Sequence, residues 1–179
     1  MMARRSLSPS ALTGGALAVL SAGLSAQAVA EPLAKSAMRT FAEHCFSPFL
    51  TAENVARFSN APGIRTEFYD LKPFSNVPPS PVTGRASTVG TDRRCEVAFD
   101  GDHGSEAATT AQSALEAEGI QKDAALPETH LRQPGTSLLA ARYLNPNRIA
   151  VVHTGTRPGP NGTETFLNVE RLTPEASRP

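Results

Sequence analysis

Tryptophan does not occur in this 179-residue sequence, and tyrosine occurs only as Tyr69 and Tyr143. Flat amphipathic rings are what a sugar-stacking platform is built from, so that class of site has little support. Lysine is confined to Lys35, Lys72 and Lys122, and no basic run exceeds the pairs Arg4-Arg5 and Arg93-Arg94. The formal charge is zero. A nucleic-acid partner needs a dense positive surface with aromatics among it, so none is expected. There is no glycine-rich phosphate loop and no dinucleotide fingerprint, hence no expected nucleotide or other cofactor. No G-x-S-x-G elbow is present, because the nearest candidate, Gly135–Leu139, reads GTSLL. No CxxC or HxxxH spacing offers metal ligands.

What is present begins with a leader-like start. Arg4 and Arg5 precede an uncharged stretch rich in Ala, Leu and Gly from Ala11 to about Ala26, and Ala28-Val29-Ala30 fits a small-x-small cleavage site. This layout predicts a cleavable secretory signal peptide over residues 1–30, cut after Ala30. A membrane span needs about 20 strongly apolar residues, and this stretch is diluted by Gly, Ser and Thr, so no stable membrane anchor is expected. The RRSL start partly resembles a twin-arginine signal, but the rest of that pattern is poor and general export is favoured. No cysteine follows the apolar region to carry a lipid. The organisation read from the sequence is thus a leader over 1–30, one domain over 31–172 and a flexible tail over 173–179. Without Arg4 and Arg5 the 17 basic residues fall to 15 against 17 acidic ones, a formal charge of −2. Localisation is expected to be periplasmic or extracellular.

Export decides how the two cysteines, Cys45 and Cys95, are read. In an oxidising compartment two cysteines of a small domain usually pair. A reactive thiolate would want a helix N-terminus or a nearby cation. Cys45 instead falls near a helix end, just before Pro48, where the helix dipole opposes negative charge. A Cys45–Cys95 disulfide is therefore expected.

Periodicity predicts a helix over 33–46 with Ala34, Met38, Phe41 and Cys45 on one stripe, closed by Pro48. Thr51 is placed to cap a short helix over 52–59, with Val55 and Phe58 inward. Residues 64–71 read as a strand or, nearly as well, a helical turn. The proline-rich segment 72–84 reads as a solvated connector. Residues 93–100 form the clearest strand, with Cys95, Val97 and Phe99 toward the core and Arg94, Glu96, Ala98 and Asp100 toward water. The turn Asp100–Gly104 lacks the oxygen ligands and closing glutamate of a calcium loop. Ser105 is placed to cap a helix over 106–118, packed through Ala108, Ala111 and Leu115 and stopped by Gly119. A connector over 120–136 leads into runs over 137–144, 148–156 and 164–172, separated by NPN and RPGPNG, which predicts a C-terminal three-stranded meander. The fold class is α+β: an antiparallel sheet of four to five strands with helices packed on one face. Where strand 93–100 joins that sheet is left open.

Of the four histidines, His44, His103, His130 and His153, only His153 falls on a predicted strand. A three-residue NPN loop sets Leu139, Ala141 and Tyr143 on one face with Ile149, Val151 and His153. His153 is accordingly the weak catalytic candidate, although no carboxylate is positioned beside it by sequence. Asn161-Gly162-Thr163 fits a glycosylation acceptor but reads more simply as a hairpin turn. The leading expectation is an exported, non-catalytic binding or accessory domain, with another exported protein as a possible partner. One alternative is a small hydrolase-like enzyme using His153 with Asp100 or Glu170. Another is a secreted inhibitor presenting the 72–84 loop or the 157–162 turn.

Overall fold

A computed structural model of the chain describes residues 24–58, 61–74 and 76–178. Most of the expected leader, residues 1–23, lies outside them. The described elements are α1 (Leu24–His44), α2 (Ala52–Phe58), β1 (Ile64–Asp70), β2 (Thr91–Asp100), α3 (Gly104–Ala117), β3 (Thr136–Asn145), β4 (Arg148–Gly159) and β5 (Gly162–Leu172). The fold is α+β. The strands make one open antiparallel sheet of five, ordered β1-β2-β5-β4-β3, with the meander β3-β4-β5 at its C-terminal end. Residues 64–70 are strand rather than helix because each pairs with β2, from Ile64 opposite Phe99 to Asp70 opposite Arg93. Strand β2 sits between β1 and β5.

One face of the sheet carries the main core. Ala34, Ala37, Met38 and Phe41 of α1 and Ala107, Ala111 and Leu115 of α3 pack on Phe68, Cys95, Val97, Phe99, Val152 and Leu167. Burying such side chains contributes roughly 1.5–3 kcal/mol for each large one. The stripe read from the sequence is the stripe that packs on the sheet, and Cys45 at its end forms a disulfide with Cys95 across a Cα–Cα separation of 5.4 Å. Thr51 caps α2 as expected, its hydroxyl accepting the Asn54 N–H at 3.2 Å.

The start of α3 differs from the expectation. The helix begins at Gly104, and its N-cap, His103, makes no side-chain cap hydrogen bond. Ser105 turns its hydroxyl to the Glu106 carboxylate instead. Gly104 is buried so close to Ser137 that a Cβ there would collide with the Ser137 hydroxyl, so the chain enters the helix at that contact. The packing face is correspondingly rotated: Ala107, Ala111, Ala114 and Leu115 are buried, while Ala108 is only half-buried.

The larger correction concerns the second face. Strand β2 is not half-exposed: every residue from Thr91 to Phe99 is buried. Three segments cover that side. The loop before β2 lays Arg85 and Thr88 over it. The connector 120–136 crosses it, bringing Ala124 and His130 onto the sheet. Residues 173–178, read as a flexible tail, fold back so that Ser177 is buried and accepts the Ile149 N–H at 3.1 Å. Beneath them lies a small second core of Leu139, Ala141, Ile149, Val151 and Leu172. The sheet edges are also occupied. Asp70 exchanges backbone hydrogen bonds with Ser80, and Ala124 and the Lys122 carbonyl bond to β3. Such cover keeps open edges from pairing with other chains.

The disulfide closes a loop with a sequence separation of 50 residues, which corresponds to about 4 kcal/mol of unfolded-state entropy. Replacing both Cys45 and Cys95 by Ala is therefore expected to lower the unfolding free energy in urea by about that amount, as is full reduction of the native protein.

Candidate functional site

On the second face the register aligns side chains into rungs across the sheet. One rung runs Glu67, Glu96, Asn168, His153 and Leu139, from β1 through β2, β5 and β4 to β3. The next runs Tyr69, Arg94, Glu170, Val151 and Ala141. Arg94, Glu96, Glu164 and Glu170 are all buried. Charges in such a place must be paired and hydrogen-bonded.

The pairing is extensive. Glu67 and Glu96 stand directly opposite each other, an unfavourable arrangement by itself. Arg85 resolves it by bonding Glu67 at 3.1 Å and Glu96 at 2.6 Å. The other Glu96 oxygen takes Arg157 at 2.6 Å, and Arg157 passes on to Glu164 at 2.6 Å. Arg65 then joins Glu164 at 2.8 Å to Asp100 at 2.7 Å. On the neighbouring rung Glu170 receives Arg94 at 2.6 Å, the Thr88 hydroxyl at 2.7 Å and His130 Nε2 at 2.8 Å. Burial opposes ionisation of Glu170, but the hydrogen bonds of His130 and Thr88 and the charge of Arg94 outweigh it, so its pKa is pushed down to about 2.

Between this layer and the 129–136 loop lies a polar cavity of about 230 Å³, bordered by Arg94, Glu96, His130, His153, Asn168 and Glu170. Gly135 and Gly155 let the loop approach β4: a Cβ on Gly135 would strike the Thr156 carbonyl, and one on Gly155 would strike the Gly135 carbonyl. The Thr156 N–H donates to the Gly135 carbonyl at 2.9 Å and fastens the loop there. His153 places Nε2 2.9 Å from the Thr136 hydroxyl and meets the Phe166 ring edge-on, with centroids 5.0 Å apart. Its pKa is lowered, first by burial, with the charges of His130 and Arg132 adding to the effect against Glu96 and Glu170. A neutral imidazole is therefore the resting form near pH 7. Beside it the Asn168 Oδ1 is buried without a hydrogen-bond partner.

The structure puts His153 in a cavity with Glu170, but does not bond the two: Glu170 is held by Arg94, Thr88 and His130. Asp100 is elsewhere, held by Arg65 and Asn161. His44 stacks on Phe58 at 4.6 Å and His103 leans on Phe99 at 5.7 Å, both on the helix side of the sheet. Among the described residues no cluster of three His, Cys, Asp or Glu side chains could hold a metal ion. His130 and Asn168 were invisible to pattern reading, one in a polar connector and the other alternating as if toward solvent. The usable signal was the charge density inside the strands, Arg94, Glu96, Arg157, Glu164 and Glu170, which exceeds what a solvated face needs. Comparison with protein-family models, with curated proteins and with solved structures found no match to this chain.

The low pKa of Glu170 makes a stability statement. Its folded-state value lies below the ordinary 4.5, so the stabilisation is present above the unfolded value and is lost as pH falls toward about 2. The shift corresponds to about 3 kcal/mol for this buried carboxylate. Glu170→Gln is expected to lower the melting temperature at pH 7 and to flatten its fall between about pH 5 and pH 3, measured by calorimetry across that range.

Proposed function

We propose that this chain is an exported, non-catalytic binding domain, and that the cavity at His153 receives a small uncharged polar molecule. The observation that carries this reading is electrostatic. Both carboxylates bordering the cavity are already neutralised, Glu96 by Arg85 and Arg157 and Glu170 by Arg94. Neither an anion nor a cation finds an unpaired counter-charge there. What the cavity does offer is neutral hydrogen-bonding capacity: the unpartnered Asn168 Oδ1, beside the His153 imidazole and the Thr136 hydroxyl that bond each other at 2.9 Å. Buried polar groups of this kind reward a ligand that satisfies them.

The hydrolase-like reading has one observation in its favour, the 2.9 Å contact between the Thr136 hydroxyl and His153 Nε2. A nucleophile–base pair also needs a third group to orient the base. Neither Asp100 nor Glu170 bonds His153, so a binding role is preferred. The inhibitor reading gains little from the 157–162 turn, because Arg157 is engaged by Glu96 and Glu164.

Export is supported by the buried Cys45–Cys95 disulfide, which suits an oxidising compartment. Helix α1 runs without a break past Ala30, and Ala34, Ala37, Met38 and Phe41, which follow that position, are buried. Cleavage after Ala30 would thus keep the described α1 contacts to the sheet. Among the described residues no helix is long and apolar enough to cross a membrane.

The binding reading is tested by backbone-amide NMR titration with glycerol, small sugars and simple amides. At least one is expected to perturb His153, Asn168 and Thr136, and Asn168→Leu and His153→Ala should each weaken it roughly tenfold. Turnover of ester, peptide, phosphate or glycoside substrates that is lost in His153→Ala would replace the binding reading by the enzyme one. Export is tested separately, by finding Glu31 as the first residue and no reactive thiol on protein recovered outside the cytoplasm.

A further inference from the structure

A second cavity, about 340 Å³, opens where the α1–α2 connection, the segment after β1 and the β3–β4 hairpin meet. It shares no lining residue with the His153 cavity, and its charge balance is different. Lys72, Arg93, Arg148 and Arg171 line it. Among the described residues the carboxylates paired with the arginines are Asp70 and Asp92, both fully buried. Arg148 and Arg171 converge on Asp92 at 2.6 and 2.8 Å, and Arg171 reaches Asp70 at 2.8 Å. Arg93 is left the poorest partner. Its Nη1 stands 3.7 Å from Asp70 Oδ2, and its Nη2 donates to the Ser47 carbonyl. Burial and the charge of Arg171 push the Arg93 guanidinium down to about 10, against the pull of Asp70 and Asp92. The Arg148 Nε is buried with no acceptor at all. Lys72 has no ion-pair partner among the described residues, and Glu175, which feels its charge, stands in solvent.

The walls are apolar. Phe46, Pro48, Phe74 and Leu144 border the cations. Phe74 is 77 % exposed, so its ring is open to a ligand at the mouth of the cleft. Excess positive charge at the floor and apolar rings at the mouth together specify an occupant with an anionic head and an apolar body. Guanidinium groups recognise planar carboxylates through parallel N–H donors. We propose that this cleft binds a monocarboxylate carrying an apolar chain or ring, its carboxylate at Arg93 and Arg148 and its apolar part against Phe46, Phe74 and Leu144.

Octanoate is the probe, with 1-octanol and acetate as controls, followed by amide shifts on the full exported chain. Octanoate is expected to perturb residues around Arg93, Arg148 and Phe74, and each control should bind at least about tenfold more weakly, lacking the charge or the chain. Phe74→Ala and Lys72→Gln alter exposed side chains, so both should keep the wild-type melting temperature while weakening octanoate about fivefold. His153→Ala should leave octanoate binding unchanged, which separates this site from the one proposed above. No octanoate shift at these residues would overturn the proposal. So would equal binding of 1-octanol or acetate, or unaltered affinity in Phe74→Ala.

Discussion

Charged side chains on the second face of β2 and β5 cannot be left both buried and unpaired, and much of the molecule is arranged around that constraint. Arg94, Glu96, Glu164 and Glu170 lie on the two strands at the heart of the sheet, away from the helices. Each needs partners that the two strands alone cannot supply. Arg85 and Thr88 arrive from the loop before β2, His130 from the connector before β3, Arg157 from β4 and Arg65 from β1. The loops are therefore placed by electrostatics as much as by chain length. Removing one member strands another in a low-dielectric setting, a loss of several kcal/mol in comparable buried pairs.

The helix face works by different physics. Its core contacts are apolar and non-directional, the disulfide ties the end of α1 to β2, and the Arg93 guanidinium donates to the Ser47 carbonyl beside it. The disulfide sits close to the carboxylate–arginine cluster at Asp70 and Asp92, because Cys95 and Arg93 share one face of the same strand. Phe46, the residue after Cys45, borders the cationic cleft. The covalent tie thus fixes one wall of that cleft relative to its floor.

The two cavities differ through their charge balance. At His153 every nearby carboxylate has its arginine, so the surplus is of neutral donors and acceptors. At Arg93 the arginines outnumber the carboxylates, so the surplus is positive and the neighbouring surface is apolar. Both lie over the same sheet, and the difference comes from which loops reach each region: a polar connector in one case, and segments bearing Phe46, Phe74 and Leu144 in the other.

Local pattern in the sequence by itself determined the helix stripe Ala34–Met38–Phe41–Cys45, the alternation of Cys95, Val97 and Phe99, the meander, and the face shared by Leu139, Ala141, Tyr143, Ile149, Val151 and His153, which the observed register reproduces. These were legible because helical and strand periodicities are short-range properties. The second face was misread for the same reason. Alternating charges in RRCEVAFD look identical whether they meet water or an opposing layer of arginines, and only long-range pairing decides which. Glu96 finds Arg157 from 61 positions away, and Arg94 finds Glu170 from 76. The place of β2 between β1 and β5, the assembly of both candidate sites and the burial of Ser177 against β4 are likewise outcomes of tertiary assembly, because each depends on groups that no sequence window contains together.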